Sequence, residues 1–467
     1  MLDFKPIQLK SAARLRKYYS RCTYRLSEYS VGVKLMWKDY WHSEFAESCG
    51  CLIVLNRTPD EGYVFDYPVP LPGAGDVDAA LGEIEEWCME NGVAPAFCSV
   101  PLWERDHMMD RYPYVSVIRD RIWQDYLYRA EDLSTFAGRR YSGQRNHINK
   151  FRKLYPQAVY RRLTPEDKDL LEAFWEEFHQ VFNKDNALAK RELCKARQLC
   201  RQIGKSWVKA GAIELDGKLI AISLGELCGE TLICHVEKGL PQYEGVYPTI
   251  VQAFASDYAQ EAVWINREDD AGDRGLRTSK LQYLPADMGQ KIFIKTRCEL
   301  SELEEIPELT TERLTLDAIR EEDKAVYNRL CLDDERNRWW GYDYRKDLQG
   351  ELTEDYFLNV ARQDFKNRLA VNFAVRLDGE MIGEAVLYRF DYTGGAELGC
   401  RILPEYAGNG YGAEAFRAAA EWSLYELGLY RLNAKCFREN EASRKMLTAC
   451  MRPAGEDETY FYFEKKV

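Results

Sequence analysis

The stretch EYAGNGYGAEAF, residues 405–416, places three glycines directly before an alanine-rich segment with helical spacing. Glycine adopts backbone conformations that other residues avoid, and it leaves neighbouring backbone N–H groups uncovered. A helix N-terminus adds unpaired N–H donors and a partial positive charge, so the two features together suit an anion. A plain turn is the alternative, because Gly-x-Gly alone is a weak signal. The flanking sequence has to decide between the two readings.

Alternating strand patterns precede and follow this stretch. Asp378-Gly379 is a hairpin signal, and the helix after the glycine turn ends near Gly428. Asn440 is placed to cap a further helix. We predict strands over 369–377, 381–390, 394–403, 430–437 and 459–465.

The same order of elements occurs earlier in the chain, over residues 208–285. Leu215-Asp216-Gly217 stands where Leu377-Asp378-Gly379 stands, and a strand, a helix, a strand and a helix follow it. We infer a repeated unit of divergent sequence. The start of the chain also predicts strands around a helix over 76–92, with 114–129 as one strand, and is a candidate third copy.

Composition limits the function classes. A chain of 467 residues suggests about three domains. The formal net charge of −12 disfavours a broad nucleic-acid surface and leaves room for a local one. The 14 cysteines lack disulfide-rich or metal-ligand spacing and the 5 histidines are scattered, so we expect reduced thiols, no metal and a cytoplasmic location. We identify no membrane-spanning run and no signal-peptide pattern.

The C-terminal third, about 309–467, resembles the GNAT family of acyl-CoA-dependent N-acyltransferases, closest to its RimJ/RimL type. The resemblance lies in TERLTLDAIREED, the β-hairpin, AELGCRILPEYAGNGYGAEAF and NEASRKML. It implies that the glycine turn holds the pyrophosphate of acetyl-CoA. The family's common Arg or Gln at the start of the turn is Ala407 here, and RimJ/RimL-like members often lack it too.

Residues 1–297 resemble a family related to the C-terminal domain of phosphatidylglycerol lysyltransferases. The likeness is carried by DYLYRAEDLSTFAGRRYSGQRNHINKF, residues 125–151, and INREDDAGDRGLRTSKLQYLP, residues 265–285. Such domains consist of tandem GNAT-like lobes, and relatives use aminoacyl-tRNA as donor and a lipid as acceptor. The resemblance implies an α/β fold of tandem GNAT-like N-acyltransferase lobes, with mixed central sheets flanked by helices. The expected boundaries are 1–140 and 141–298 for two lobes, 299–311 for a linker, and 312–467 for a GNAT N-acetyltransferase domain.

The GNAT resemblance also implies a cofactor site along the turn and the strand before it. The turn would offer backbone N–H groups to the pyrophosphate. The strand would offer backbone groups to the pantetheine arm and an N–H to the oxyanion of the tetrahedral intermediate. Asn440 would contact the cofactor, with helix capping as the alternative. The predicted cofactor residues are Leu398, Cys400, Ile402, Ala407, Gly408, Asn409, Gly410, Tyr411, Gly412, Ala413 and Asn440.

Acyl transfer to an amine also needs proton transfers. A lysine-like amine is mostly protonated at neutral pH, so a base is useful. Glu384 and Glu397 lie on strands that would flank the cleft and are the candidate bases, with Glu397 preferred; an exposed strand carboxylate is the alternative for each. Ser443 is the candidate acid, because Leu447 stands where many GNAT enzymes carry a tyrosine.

Two further stretches suggest partners. Trp339, Trp340 and Tyr342 are candidates for stacking on an acceptor cation, and core packing is the alternative. The basic stretch over 138–156 is a candidate tRNA site, with a solvated amphipathic helix as the alternative. The residues predicted for tRNA are Arg139, Arg140, Arg145 and Lys150.

The glycine turn has a counterpart in the earlier repeat, at YEGVYPT, residues 243–249. That turn keeps only Gly245, and Pro248 has no N–H to donate. We therefore predict that this lobe does not bind CoA in the usual way. Three hypotheses follow: an acetyl-CoA-dependent N-acetyltransferase acting on a small amine or a protein N-terminus, an aminoacyl-tRNA-dependent transferase in the N-terminal half, or a non-catalytic module there that binds a substrate or partner.

Overall fold

The computed structural model describes residues 2–58, 62–181, 187–258, 260–341, 344–346, 348 and 350–467, with only the backbone described at 187–189 and 346. The chain divides into two compact units. The N-terminal unit comprises Met1–Ile84, Pro95–Asp106 and Val117–Ile294. The C-terminal unit comprises Glu85–Ala94, His107–Ser116 and Lys295–Val467. The C-terminal unit is therefore assembled from three separate stretches of chain.

The strands are numbered in chain order. They are β1 Lys5–Pro6, β2 Glu44–Ser48, β3 Cys51–Thr58, β4 Gly62–Asp66, β5 Val69–Pro70, β6 Ala96–Pro101, β7 Val115–Ile118, β8 Asp125–Arg129, β9 Val159–Arg162, β10 Lys209–Leu215, β11 Lys218–Cys228, β12 Thr231–Gly239, β13 Trp264–Asn266, β14 Asp287–Gly289, β15 Lys291–Thr296, β16 Leu309–Thr310, β17 Leu314–Ala318, β18 Ala370–Leu377, β19 Glu380–Tyr388, β20 Gly395–Ile402, β21 Arg431–Phe437, β22 Arg452–Glu456 and β23 Tyr460–Lys466.

The α-helices are numbered in the same way. They are α1 Ala12–Tyr19, α2 Val31–Trp37, α3 Val77–Glu90, α4 Arg105–Arg111, α5 Ala130–Thr135, α6 Ser142–Leu154, α7 Lys168–Val181, α8 Ala187–Cys200, α9 Val246–Tyr258, α10 Arg274–Leu281, α11 Lys324–Leu332, α12 Asp334–Trp340, α13 Tyr356–Lys366, α14 Tyr411–Tyr425 and α15 Glu441–Cys450. Short 3₁₀ helices cover Leu9–Ser11, Leu102–Glu104, Arg121–Trp123, Arg139–Tyr141, Pro165–Asp167, Glu299–Glu302, Glu321–Asp323, Tyr344–Lys346 and Pro404–Tyr406.

One pattern of strands recurs in all three sheets. The sheet orders are β1-β2-β3-β4-β6-β15-β7 with β5 on β3, then β14-β8-β13-β12-β11-β10-β9, then β16-β17-β18-β19-β20-β21-β23-β22. In each sheet an antiparallel meander leads into a parallel pair joined by a helix: β4 and β6 by α3, β12 and β13 by α9, and β20 and β21 by α14. The predicted fold of tandem GNAT-like lobes is confirmed, and the candidate third copy has the same order of elements.

The two predicted hairpins match closely. Asp216-Gly217 and Asp378-Gly379 both have positive φ, at 50° and 77° and at 49° and 87°, as a two-residue type I′ turn requires. Both hairpins also carry a β-bulge at the same offset from the turn, between Ile213 and Glu214 and between Val375 and Arg376. A shared irregularity of this kind supports the inference that these two lobes are copies of one unit.

Two sequence expectations need correction. Residues 114–129 form two strands, β7 and β8, because a 3₁₀ helix starts at Arg121 and Asp120 caps it through the Ile122 N–H, at 3.0 Å. Strand β22 follows α15 and was not predicted, since its residues are exposed and have no alternating apolar pattern. None of the helices in the described residues combines the length and the apolar character that crossing a membrane needs.

Helix α14 packs closely on the third sheet because its buried face is made of small side chains around one large one. The exposed fraction is at most 1% for each of Ala415, Phe416, Ala419 and Ala420. Alanine also favours the helix and lets its backbone approach the strands. This packing holds the first residues of α14 beside the end of β20.

Candidate active site of the C-terminal unit

The glycine turn before α14 is open to solvent. After the 3₁₀ helix Pro404–Tyr406 the chain passes through Gly408 and Gly410, with φ of 82° and 83°, a conformation that favours glycine. A Cβ on Gly408 would have no heavy atom within 4 Å, and one on Gly410 would meet only the Arg313 Nη2, at 3.5 Å. Residues 407–410 are exposed, so no side chain in the described part of the chain closes over the turn.

The backbone N–H groups at the start of α14 are available. The first helical bond here runs from the Glu414 N–H to the Gly410 carbonyl, at 3.1 Å. Within the described residues, no acceptor is recorded for the N–H groups of residues 408–413, and Gly410 caps the helix without a side-chain bond. A run of unpaired donors at a helix N-terminus is the physical basis of an anion site.

Arg313 supplies a cation at this turn and was missed in the sequence reading. Its Nη1 donates to the Asn409 carbonyl at 3.1 Å, and its Nε donates to Glu414 Oε2 at 2.8 Å. The guanidinium carbon lies 4.6 Å from the Tyr411 ring centroid, and the side chain is 43% exposed. The signal was present in TERLTLDAIREED, where Arg313 precedes the first long strand of the lobe, but nothing local to position 407 points to it.

Strands β20 and β21 separate beside the turn. They pair in parallel only over Gly395–Arg431, Ala396–Leu432 and Glu397–Asn433, although β20 continues to Ile402 and β21 to Phe437. Residues 398–402 keep their pairing with β19 on the other side. The result is a wedge between two strands of one sheet, and its narrow end lies at Glu397.

A cavity of about 1070 Å³ opens along this wedge. Its walls include the predicted residues Leu398 and Cys400 of β20 and Ser443 of α15. Cys436 of β21 and the Leu447 side chain also line it. Burial raises the pKa of the Cys400 thiol to about 12, so that thiol stays protonated at neutral pH.

Glu384 lies inside the cavity and is paired. Its side chain is 1% exposed and forms an ion pair with Arg401, which lies opposite it on β20. Arg401 also donates to Asn337 Oδ1 and to the Cys331 Sγ, at 3.1 Å each. Glu384 is therefore a buried cavity group rather than an exposed strand carboxylate.

Glu397 lies at the narrow end of the wedge, outside the cavity wall. Its Oε1 is 3.1 Å from the Arg389 Nε, and its Oε2 is 3.8 Å from the Lys435 Nζ. Tyr388, opposite Glu397 on β19, does line the cavity. Arg389 and Lys435 therefore both offset the charge of Glu397, the preferred candidate base. Tyr388, and not Glu397 itself, lines the cavity where an acceptor would bind.

Asn440 acts as a helix cap in the structure. Its Oδ1 accepts the Ser443 N–H at 3.0 Å, which is the alternative considered from the sequence. Ile402 is 9% exposed and lies outside the cavity wall. Gly412 makes ordinary contacts, with Ile402 Cγ1 3.4 Å from a Cβ placed on it. The remaining turn residues predicted for the cofactor, Ala407, Asn409, Tyr411 and Ala413, lie along the open turn and the first turn of α14.

The aromatic residues of α12 face the cavity and already have partners. The Trp340 ring centroid lies 4.6 Å from the guanidinium carbon of Arg401, and its Cη2 is 3.0 Å from where a Cβ on Gly399 would lie. Trp339 packs edge-on against Phe437, with ring centroids 6.0 Å apart. Both tryptophans line the cavity. Tyr342, the third aromatic residue predicted here, lies outside the described residues.

The basic stretch of the N-terminal unit is largely engaged in internal contacts. Arg140 pairs with Asp132 at 2.7 Å, and Lys150 pairs with Glu244 at 2.6 Å. Arg145 donates to the main-chain carbonyls of residues 136 and 138. Arg139 is exposed. Of the four residues predicted for tRNA, three therefore also stabilise the local structure.

The acidic residues after β13 are explained by hydrogen bonds. Asp270 is buried and accepts from Arg277, and the Arg277, Tyr126 and backbone bonds together outweigh burial and hold the pKa of Asp270 well below its usual range. Asp269 accepts the Ala271 N–H of its own loop at 2.9 Å, and Asp273 caps helix α10 by accepting the Leu276 N–H at 2.8 Å. In the part of the chain that the structure describes, no group of three or more His, Cys, Asp or Glu side chains is arranged to hold a metal ion.

This architecture defines a class. A bare glycine turn at a helix N-terminus, a wedge between parallel strands and a cavity along it, on repeated lobes of one topology, are the features of GNAT-like acyltransferases. Residues 20–294 match the family model described as phosphatidylglycerol lysyltransferase, C-terminal, and residues 313–450 match the acetyltransferase (GNAT) domain. The chain belongs to the phosphatidylglycerol lysyltransferase C-terminal family and carries a GNAT acetyltransferase domain after it. The coarse resemblance and the acyltransferase class are thereby confirmed.

Three relatives illustrate the two parts. An uncharacterized protein of Mycoplasmoides gallisepticum is 24% identical over 294 residues, which are 60% of this chain and 92% of the relative. An uncharacterized N-acetyltransferase of Bacillus subtilis, YoaA, is 27% identical over 142 residues, 30% of this chain and 80% of its own. The crystal structure of a conserved protein of unknown function from Bacteroides thetaiotaomicron has a TM-score of 0.58 at 26% identity, and covers 64% of this chain and 100% of that chain.

Proposed function

We propose that the C-terminal unit transfers an acetyl group from acetyl-CoA to a primary amine on a small molecule or a protein N-terminus. The observation that carries the proposal is the open glycine turn, whose N–H groups over 408–413 have no acceptor among the residues that the structure describes, beside a wedge of separated strands. Diphosphates bind to such amides, and an extended thioester arm needs such a wedge. We also propose a cytoplasmic location, in keeping with the 14 unpaired cysteines.

Each part of the site has a role in this reaction. The N–H groups of residues 408–413 would bind the pyrophosphate, and Arg313 would add positive charge beside them. The unpaired edge of β20 over 398–400 would donate an N–H to the oxyanion that forms at the thioester carbonyl. The acetyl-CoA supplies the activated acyl group when it is bound.

Two proton transfers complete the proposal. Glu397, at the narrow end of the wedge, would take the proton of the amine through one water, because it does not itself line the cavity. Ser443 does line the cavity, and its hydroxyl would pass its proton to the leaving thiolate while it takes one from a water molecule, so that the hydroxyl is restored. The buried Glu384 has its charge compensated by Arg401, which makes it a weaker candidate for the base.

Calorimetric titration of acetyl-CoA into the full chain tests the cofactor. We expect binding by the unmodified protein and a loss of affinity of at least tenfold in Gly410→Leu. Gly379→Leu is the matched control, because Gly379 also has a positive φ, 87° against 83°, and lies in the hairpin between β18 and β19. No binding by the unmodified protein, or equal affinities in both variants, would remove the proposed cofactor site.

A second candidate function concerns the N-terminal half. Its membership of the phosphatidylglycerol lysyltransferase C-terminal family favours an aminoacyl-tRNA-dependent transferase there, with a non-catalytic binding module as the alternative. We propose Arg139 as the contact to test first, because it is exposed while Arg140 and Lys150 are paired. A tRNA gel shift that weakens with salt and with Arg139→Gln supports the tRNA proposal, and a shift unchanged by that variant excludes this contact.

A further inference from the structure

One wall of the cavity in the C-terminal unit comes from chain that lies far outside the GNAT domain at 313–450. It consists of the end of helix α3 and the turn after it, within the stretch Glu85–Ala94 of this unit. We call residues 88–93 the α3 wall. Its members that line the cavity are Cys88, Met89, Glu90, Gly92 and Val93. The shape of the cavity therefore depends on residues that the GNAT domain does not contain.

Backbone hydrogen bonds fix the α3 wall where the helix ends. The Val93 N–H donates to the Cys88 carbonyl at 3.0 Å, and the Gly92 N–H donates to the Met89 carbonyl at 3.3 Å. Gly92 has a φ of 63°. This combination is the Schellman motif of a helix C-terminus, in which glycine takes the left-handed position without strain. The turn therefore has a defined conformation that carries Met89 and Val93.

An ion pair holds the same helix end in place. Arg111 donates from Nε and from Nη2 to the two carboxylate oxygens of Glu85, at 2.6 and 2.9 Å. Both residues belong to the C-terminal unit. A two-point bond between arginine and a carboxylate restricts the geometry more than a single contact does. The α3 wall is therefore built into the unit before any ligand binds.

The strand register places the α3 wall on the acceptor side of the cavity. Tyr388, the last residue of β19, lies opposite Glu397 at the narrow end of the wedge and opposite Ala370, where β18 begins. Under the proposed function the cofactor arm runs from the glycine turn to this end, so the chain beyond Tyr388 lies past the thioester. Tyr392 lines the cavity there. Burial is the main cause of the raised pKa of Tyr392, and Cys88 is close enough to contribute.

Two side chains of the α3 wall give it an apolar surface that a ligand can reach. Met89 and Val93 line the cavity and are half-buried, so part of each side chain stays accessible. Helix α13 adds Val360 and Ala361 to the same cavity. In an apolar pocket, each methylene group that fits or clashes changes the specificity of an enzyme about tenfold or more. The length of the Met89 side chain therefore bears directly on which acceptors fit.

We propose that Met89 and Val93 set the upper size of the acceptor, so that a segment outside the GNAT domain selects the substrate of the acetyl transfer. This inference rests on the proposed function and names the residues that determine its specificity. Neither side chain takes part in the chemistry. A change at Met89 should thus alter the choice between acceptors and leave the affinity for CoA as it is.

The experiment compares a small and a bulky primary amine, n-butylamine and adamantylmethylamine, in thiol release from acetyl-CoA by the full chain. We expect the unmodified protein to favour n-butylamine at least tenfold in kcat/KM. Met89→Ala should shift this ratio at least tenfold toward the bulky amine, Val93→Ala should shift it less, and Met89→Leu, which conserves volume, should keep it. Met109→Ala is the matched control, because Met109 belongs to the same unit, is 38% exposed and lies outside the cavity wall.

The ratio is measured within one protein, so a loss of stability in a variant does not change it. An unaltered ratio in Met89→Ala overturns the assignment, and so does equal turnover of the two amines by the unmodified protein. If CoA binds but neither amine releases thiol, calorimetric affinities of the two amines for the CoA-loaded protein give the ratio instead. Failure of both amines to bind there also overturns the assignment. Absence of CoA binding would instead refute the proposed function itself.

Discussion

The turn over Leu240–Gly245 in the N-terminal unit and the turn over Leu403–Gly410 in the C-terminal unit occupy the same place in two copies of one lobe. Each opens with a bond from the leucine N–H to an isoleucine carbonyl of the neighbouring strand, both at 2.9 Å. Each ends at a glycine with φ of 83° whose carbonyl accepts the N–H four residues on. The backbone hydrogen bonds thus align Gly245 with Gly410.

The surroundings of the two turns differ. The N-terminal turn is two residues shorter between its leucine and its glycine, and it lacks the exposed Gly408-Asn409 segment. A Cβ on Gly245 would lie 2.5 Å from the His147 carbonyl oxygen and 3.0 Å from Phe151 Cβ, since helix α6 packs against the turn. Of the described residues, only Arg313 comes within 4 Å of a Cβ placed on Gly410, with its Nη2 at 3.5 Å.

This difference separates two roles of one turn. In the N-terminal unit the glycine permits close packing of a helix, and in the C-terminal unit it leaves backbone donors uncovered. A lobe can therefore retain the sheet, the crossover helix and the glycine and still lack the space for an anion. In the N-terminal unit the packed helix α6 and the shorter turn take up that space. Fold similarity alone does not carry the binding site.

The largest expected effect comes from an ion-pair cluster that the second and third sheets share with the charges of two strand positions exchanged. Arg376 on β18 bonds Asp317 on β17 at 2.6 Å and Asp323 at 2.7 Å with 4% exposure. In the second sheet the arginine is Arg161 on β9, which bonds Glu214 on β10 and Asp167 at 2.7 Å each and is 33% exposed. Arg376→Met should destabilise its unit by about 4 kcal/mol because it leaves two buried carboxylates unpaired. Arg161→Met should cost about 1 kcal/mol. Hydrogen exchange of the two sheets measures each unit separately, and equal losses would contradict the difference in burial.

The second effect tests the packing of the two turns directly. Gly245→Ala should cost about 3 kcal/mol, because the new Cβ meets the carbonyl of His147 at 2.5 Å in addition to the strain of positive φ. Gly408→Ala should cost about 1 kcal/mol, from positive φ alone. Thermal unfolding with hydrogen exchange gives both values. A tolerated Gly245→Ala would show that α6 does not press on the turn.

The third effect is a pH dependence of stability that His235 gives to the N-terminal unit. Burial would lower the pKa of His235, but its bonds to Glu226 and Glu268 outweigh burial and raise that pKa to about 9. The folded-state pKa thus exceeds the unfolded value of about 6.5, so this stability is complete below pH 6.5 and is lost as pH rises to 9. The loss is at most about 3 kcal/mol.

Unfolding in denaturant at pH 6, 7.5 and 9 checks this expectation. His235→Gln should flatten the profile of the N-terminal unit. If the unfolding free energy of the His235→Gln variant still depends on pH in this range, another group causes the dependence.

The smallest effect concerns the cation beside the open turn. Arg313→Gln should weaken CoA binding about tenfold at low salt and less at high salt, because a charge near the phosphates is lost. Arg362→Gln removes a comparable surface pair with Glu321 and is the control. If the two variants bind CoA with equal affinity, Arg313 does not contribute to CoA binding and only contacts Asn409 and Glu414.

The sequence predicts best what local chemistry determines. The Asp-Gly hairpins, the helix cap at Asn440 and the end of α14 near Gly428 each follow from backbone preferences of a few adjacent residues, and each was confirmed. The repeat was recognisable for the same reason, since turns recur even where side chains diverge. Family resemblance then supplied the fold class that these local signals alone leave open.

What the sequence does not show depends on register and on distant contacts. The ion pair of Glu384 with Arg401 follows from which residues face each other on β19 and β20. A polar residue on a strand has the same local pattern whether it lies in solvent or in a cavity. Arg313 reaches the glycine turn from about a hundred positions earlier, and a packing helix fills the N-terminal turn from as far away, so neither is visible locally.

The three-part composition of the C-terminal unit bears on its biogenesis. Residues 85–94 and 107–116 belong to this unit but leave the ribosome long before Lys295 does. Their contacts with Lys295–Val467 can form only after that part of the chain has been translated. A cut in the chain near position 300 would leave these two pieces on the N-terminal fragment, so the C-terminal unit would lose two of its three stretches of chain.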